Sequence, residues 1–200
     1  AGSFAYGEWA ADPGATAEQW TRFEAAVAAL GPRPPLVHAA NSAAALLGRR
    51  YAADLVRPGI FLYGGRAGSI EPVPVAALRA RVVAARTVPA GAPVSYGATW
   101  RPDTTAHVAT LAIGYADGVP RSLGNRGSVE LAGGVVPIRG RVTMDMTMVQ
   151  SPAGVRTGDV ATVYGGLVSL DAQAAAAGTI SYELLTSLGS RVPRCYGDAS

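Results

Sequence analysis

Two hundred residues, 49% of them hydrophobic, suffice for one domain with a sizeable core or for two small ones. The net charge is +3, but all 17 basic residues are arginine and only Arg49 and Arg50 are adjacent, so no basic stripe marks a nucleic-acid binder. No apolar run reaches the roughly 18–20 residues of a membrane span, no signal-peptide pattern opens the chain, and the lone Cys195 excludes an internal disulfide and favours a reducing, intracellular compartment.

In chain order, 1-AGSFAYGEWA-10 reads as cut into rather than begun, with Phe4-Ala5-Tyr6 as the tail of a strand. Thr16 with Gln19 makes a capping box, and Trp20, Phe23, Val27 and Leu30 keep helical spacing until Gly31. The turn 32-PRPP-35 leads to a short apolar strand, 36-LVHAA-40, and 41-NSAAALLGRR-50 reads as a helix capped by Asn41 or Ser42. The strand 54-DLVRPG-59 completes a strand–helix–strand unit, which implies a parallel sheet with its functional loops at the strand C-termini.

After about residue 70 the pattern changes. The segments 80-ARVVAARTV-88, 107-HVATLAIGY-115, 128-SVELAGGVVPIRGRV-142 and 158-GDVATVYGG-166 are short, β-rich and punctuated by Gly and Pro, as in a small barrel. Between them, 94-VSYGATW-100 reads as a strand that Gly97 breaks, with Tyr96 at its end. Asp171 is read as the cap of an alanine-rich helix, and 181-SYELLTSLG-189 as another helix. The expected fold class is α/β + β, with an α/β part over residues 1–70 and a β domain over residues 71–200.

Several residues carry chemistry. Ser42 at a helix start and Gly59-Ile60 after the next strand bring a hydroxyl and backbone N–H groups to one end of a parallel sheet, which suits a phosphate; a plain cap and a plain turn are the competing readings. Arg57, near the end of an apolar strand, needs a partner, either a structural ion pair or a ligand. His38 reads as a satisfied core histidine, and Tyr96 as either an aromatic plug or a functional side chain. Tyr115 and Asp117 sit in a glycine-bounded turn. Met144, Met146 and Met148 alternate, so strand geometry assigns them to the core and turns Asp145 to the opposite face. No Cys/His cluster has metal-ligand spacing, and without lysine no side-chain amine can form a Schiff base.

In order, 36-LVHAANSAA-44, 54-DLVRPGIFLYG-64, 94-VSYGATW-100, 112-AIGYADGVPR-121, 138-IRGRVTMDMTMV-149 and 191-RVPR-194 resemble alanine racemase, over a stretch from Phe4 to Arg194. The resemblance implies a partial TIM-like (β/α) barrel holding pyridoxal 5′-phosphate, a C-terminal β-barrel-like domain, and a cytoplasmic, head-to-tail homodimer that interconverts L- and D-alanine for peptidoglycan precursors. It assigns the cofactor phosphate to Ser42, Gly59 and Ile60, the pyridine nitrogen to Arg57, and the catalytic base toward L-alanine to Tyr96, acting in the partner's site. It assigns the substrate carboxylate to the Met144 N–H with Asp145 beside it, and the substrate passage to Tyr115.

Three departures accompany it. The family's cofactor lysine lies upstream of everything here, so the chain reads as a C-terminal part whose N-terminal half of the barrel is missing, inactive by itself. A family histidine would fall at Ser3, so that either a hydrogen bond toward Arg57 is lost or this end of the sequence is artificial, and Ser190 stands where some members carry a phosphate-contacting tyrosine. The competing functions are a non-catalytic module binding a phosphorylated ligand or a protein partner, and a related lysine-dependent decarboxylase, against which 94-VSYGATW-100 argues.

Overall fold

The computed structural model describes residues 12–197, so the expectations placed on Phe4-Ala5-Tyr6 and on Ser3 lie outside the described residues. The chain divides into two compact units between Val75 and Ala76.

In the first unit, helix α1 (Pro13–Ala28) starts earlier than the expected capping box. Asp12 is the cap, its carboxylate accepting the N–H groups of Gly14 and Ala15 at 2.9 and 3.1 Å, and Pro13 fills a position where no N–H is needed. Thr16 is already inside the helix, fully buried, with its N–H on the Asp12 carbonyl. Trp20 packs with Ala39, Ala40, Ala44 and Tyr51, its ring edge-on to Tyr51 at 5.6 Å.

Strands β1 (His38–Asn41) and β2 (Leu55–Arg57) pair in parallel, with His38 opposite Leu55 and Asn41 opposite Arg57. Helix α2 (Ser42–Leu46) between them is shorter than the expected span, because Gly48 takes φ 126° and Arg49–Tyr51 continues as a 3₁₀ turn. Asn41, not Ser42, is its cap, accepting the Ala44 N–H at 3.1 Å, which leaves the Ser42 hydroxyl for other work.

The second unit is a β domain of antiparallel strands: β3 (Leu78–Val88), β4 (Ala106–Leu111), β5 (Ser128–Leu131), β6 (Gly134–Pro137), β7 (Thr147–Ser151) and β8 (Val160–Tyr164). They are ordered β6-β5-β8-β3-β4-β7. Long β3 pairs with β8 through its first half and β4 through its second, bending at an irregularity between Val82 and Ala84. The two outer strands meet: Ile138 bridges Val149, and the Arg139 N–H donates to the Met148 carbonyl at 2.9 Å. The sheet thereby closes into a barrel around Val82, Ala109, Leu111, Val129, Ile138, Val149 and Val163, all buried, while Val108 on the other face of β4 packs with Val88, Val94 and Met148.

Helix α3 (Leu170–Ala177) is capped by Ser169, whose hydroxyl accepts the Ala172 N–H, and the expected cap Asp171 instead sits in the first turn and accepts from Ser181 at the start of α4 (Ser181–Thr186). The first unit therefore has the parallel strand–helix–strand build of a (β/α) barrel segment, and the second is a small β barrel. Among the described residues, no helix is long and apolar enough to cross a membrane.

Candidate functional site

In the first unit, the groups expected to receive an anion gather in one cup. The Ser42 hydroxyl, buried at the first position of α2, accepts the Gly59 N–H at 2.9 Å and stands 3.5 Å from that of Phe61. Ile60 opens the 3₁₀ turn Ile60–Tyr63, whose first amides have no partner within the turn. Open space lies beside Gly59: a Cβ built there would touch nothing within 4 Å. Arg57, half-buried at the end of β2, places Nη1 2.7 Å from His38 Nδ1 and donates from Nη2 to the Ala39 carbonyl at 2.8 Å. His38 is therefore partnered, as expected, but it is half-buried rather than in the core, and its partner is Arg57.

The second unit carries a pocket of about 470 Å³ lined by Tyr96, Tyr115, Arg121, Arg141, Val142, Thr143, Met144, Asp145 and Met146. Tyr96 is not at a strand end and is no core plug; it opens a 3₁₀ turn, Tyr96–Ala98, and is 74% exposed. The strand stops at Val94, which bridges Trp100, because Ser95 is held at φ 64°. The Ser95 hydroxyl donates to the Arg141 carbonyl at 2.7 Å, fastening the tyrosine turn to the opposite wall of the pocket. Asn125 ties the same two segments, donating to the Thr99 carbonyl at 3.3 Å and accepting the Gly140 N–H at 2.6 Å.

The other wall is two interlocked turns. Thr143 closes 143–146 on itself, its N–H and hydroxyl donating to the Met146 carbonyl at 2.9 and 3.0 Å and its hydroxyl oxygen accepting the Met146 N–H at 3.1 Å. That closure ends the strand alternation, so Met144 and Met146 are exposed on the pocket and only Met148 is in the core, contrary to the expectation for all three. Tyr115 and Ala116 donate their N–H groups to the Thr143 and Met144 carbonyls at 2.9 and 3.0 Å. Gly114 makes this approach possible, since a Cβ there would stand 2.3 Å from the Thr143 oxygen.

Beneath the turns, Asp117 is buried, accepting the Gly114 N–H at 2.9 Å on one oxygen and Arg191 on the other. Arg191 also pairs with Asp145 at 2.8 Å, and these hydrogen bonds, that of Asp145 foremost, hold its pKa above the ordinary arginine value. Tyr96, Tyr115, Met144 and Asp145 thus line one pocket, while Ser42, Arg57, Gly59 and Ile60 make up the cup of the other unit. Sequence reading gave no role to Arg121, Arg141, Thr143 or Arg191, although all four lie inside the motifs that carried the resemblance.

These groups suit a phosphorylated heterocycle in their donor set: the Ser42 hydroxyl, the amides that open the Ile60–Tyr63 turn and open space beside Gly59, with a guanidinium whose other contacts fix it in place. A covalent imine to a lysine is outside its means, since the chain has none.

A (β/α) barrel segment with an anion cup, followed by a small β barrel with a tyrosine-rimmed pocket, defines a two-domain protein of the barrel-plus-β-domain type. Residues 1–67 match the family model of the alanine racemase N-terminal domain, and residues 75–196 that of the alanine racemase C-terminal domain. The chain belongs to the alanine racemase family. An alanine racemase of Salinispora tropica is 46% identical over 177 residues, which cover 83% of this chain and 47% of that protein. The solved alanine racemase of Streptomyces coelicolor A3(2) matches with a TM-score of 0.88 at 35% identity, over 99% of this chain and 56% of that one. A Bartonella henselae alanine racemase solved with covalently bound pyridoxal phosphate matches with a TM-score of 0.83 at 34% identity, over 97% of this chain and 55% of that one. The chain spans about half the length of the curated relatives it matches.

Proposed function

We propose that these residues form part of a cytoplasmic alanine racemase that uses pyridoxal 5′-phosphate and works as a homodimer, supplying D-alanine for peptidoglycan precursors. The observation that carries the reading is the exposed Tyr96 fastened to the rim of a pocket shared with Tyr115, Met144 and Asp145. Pyridoxal phosphate, when bound, supplies the electron-withdrawing ring that makes an amino acid's α-proton acidic.

The chain's own groups do the rest. Ser42, Gly59 and Ile60 bind the phosphate, and Arg57, anchored by His38 and the Ala39 carbonyl, meets the pyridine nitrogen without giving it a proton, since a guanidinium stays charged. The Met144 N–H, with Asp145 beside it, meets the alanine carboxylate. The Tyr96 hydroxyl moves the α-proton on one face, in the site of a second copy of the chain. The base for the opposite face, and the covalent link to the cofactor, require a lysine from polypeptide outside these residues. Residues 1–70 are read as the barrel portion and 71–200 as the β domain.

Family membership removes the decarboxylase reading, and nothing favours the non-catalytic module. The test is Tyr96→Phe in the complete, lysine-containing enzyme, followed by chiral separation of alanine. Loss of about 10²–10⁴ in rate is expected when a general base is removed; an unchanged rate would remove Tyr96 from the chemistry.

A further inference from the structure

The motif 191-RVPR-194 lies outside both the cup and the ring of residues lining the pocket. Its two arginines act differently. Arg194 turns back on its own segment, donating to the carbonyls of Leu188, Gly189 and Val192 at 2.9, 2.6 and 2.7 Å, which winds this stretch into a compact coil. The coil is docked on the Tyr115 turn: the Gly189 N–H donates to the Asp117 carbonyl at 3.0 Å, and the Ser187 hydroxyl to the Gly118 carbonyl at 3.2 Å. From that base Arg191 reaches two carboxylates, with Nε 3.1 Å and Nη2 2.9 Å from Asp117 Oδ1, and Nη2 2.8 Å from Asp145 Oδ1.

The two carboxylates are differently placed. Asp117 is buried and also held by the Gly114 N–H, so it belongs to the foundation of the turn. Asp145 is exposed on the pocket wall, and among the described residues Arg191 is its only ion-pair partner. An unpaired carboxylate at that position would repel the carboxylate of an amino acid approaching the neighbouring Met144 N–H. A guanidinium fork can hold both aspartates at once, in a fixed plane.

We propose that Arg191 is a positioning residue of the alanine site, acting through Asp145: from the C-terminal coil it fixes the 143–146 turn and neutralises the one carboxylate on the pocket wall. This rests on the reading of the pocket as the alanine site. It gives 191-RVPR-194 a division of labour, with Arg194 folding the coil and Arg191 projecting from it.

In the complete, lysine-containing enzyme, Arg191→Gln is expected to raise KM for alanine about fivefold, the upper range of an exposed ion pair, with kcat changed by less than about twofold. In an Asp145→Asn background the same substitution should have no effect on KM, because the charge it answered is gone. An unchanged KM in the single variant, or the same increment in both backgrounds, would overturn the proposal, the latter by showing that Arg191 works through Asp117 or the coil alone. In the 200-residue chain, Arg191→Gln should speed amide exchange at Thr143 and Met146, which close the turn, and leave Val108 in β4 unchanged. Equal exchange at Thr143 and Met146 in both proteins would contradict it. Tyr96→Phe in the same enzyme separates the two levels: a full rate there sinks the alanine-site reading, while the exchange measurement still decides whether Arg191 holds the turn.

Discussion

Arg57 Nη1 lies 2.7 Å from His38 Nδ1. A guanidinium has only donors, so Nδ1 is the acceptor and the neutral ring carries its proton on Nε2. The contact gives the guanidinium at the end of β2 a fixed direction, as its proposed role opposite a pyridine nitrogen requires. Nitrogen-15 shifts of His38 are expected to show an unprotonated Nδ1. A proton on Nδ1 would break the contact and contradict this role for His38.

Ser42→Ala removes the oxygen that accepts the Gly59 N–H. Leaving that donor unpaired should cost about 1–3 kcal/mol in chemical denaturation. In the complete enzyme, retention of the cofactor should weaken by roughly 1.5–3 kcal/mol, the value of one charge-assisted hydrogen bond. Asn41→Ala, by contrast, should cost about 1 kcal/mol of stability as a lost cap and spare cofactor affinity. Equal cofactor affinity for Ser42→Ala and the parent in a titration would count against the cup.

Gly114→Ala tests the interlocked turns. The added methyl would stand 2.3 and 2.4 Å from the Thr143 and Met144 oxygens, both backbone atoms that no side-chain rotation can move aside. A loss of about 1–3 kcal/mol is expected, together with faster exchange of the Tyr115 and Ala116 amides. A fully stable variant with those amides still protected would show that the two turns are not locked as described.

The secondary-structure grammar was legible where local chemistry decided it: the helix through Trp20, the parallel strands either side of 41–50, and the run of short strands after residue 70. It failed where one side chain outcompeted a pattern. Asp12-Pro13 starts α1 ahead of the Thr16–Gln19 box, and Ser169 caps α3 ahead of Asp171. Thr143 folds what alternation presented as a strand, and the positive φ of Ser95 turns Tyr96 out to solvent. Closure of the barrel through Ile138 and Val149 and the reach of Arg191 to Asp145 depend on distant pairings that periodicity does not encode. The site residues themselves came from ordered motifs, since no single one of them announces its chemistry.

Tyr164 supplies a pH test of the β barrel. Its hydroxyl is buried with no hydrogen-bond partner among the described residues, and desolvation pushes its pKa from 10.0 up to about 12, against the opposing charge of Arg194. Stability from such a raised pKa is fully present below the ordinary value and is lost as pH rises through 10 toward 12, where the unfolded chain ionises first. Tyr164→Phe should remove that alkaline loss and cost little at neutral pH, because it deletes an unsatisfied buried group. A phenylalanine variant that unfolds along the same alkaline curve would exclude Tyr164 as its source.

The most direct test of the proposed function is racemisation by the chain alone and after complementation. Two-base chemistry at the α-carbon needs a proton acceptor on one face and a donor on the other, and these 200 residues contain Tyr96 but no lysine. The purified chain with pyridoxal phosphate should leave L-alanine optically unchanged. Adding a polypeptide that carries the family's lysine-bearing segment should start D-alanine formation, and Tyr96→Phe should then stop most of it. Racemisation at an ordinary enzymatic rate by the lysine-free chain, with mass spectrometry excluding a second polypeptide, would contradict the account.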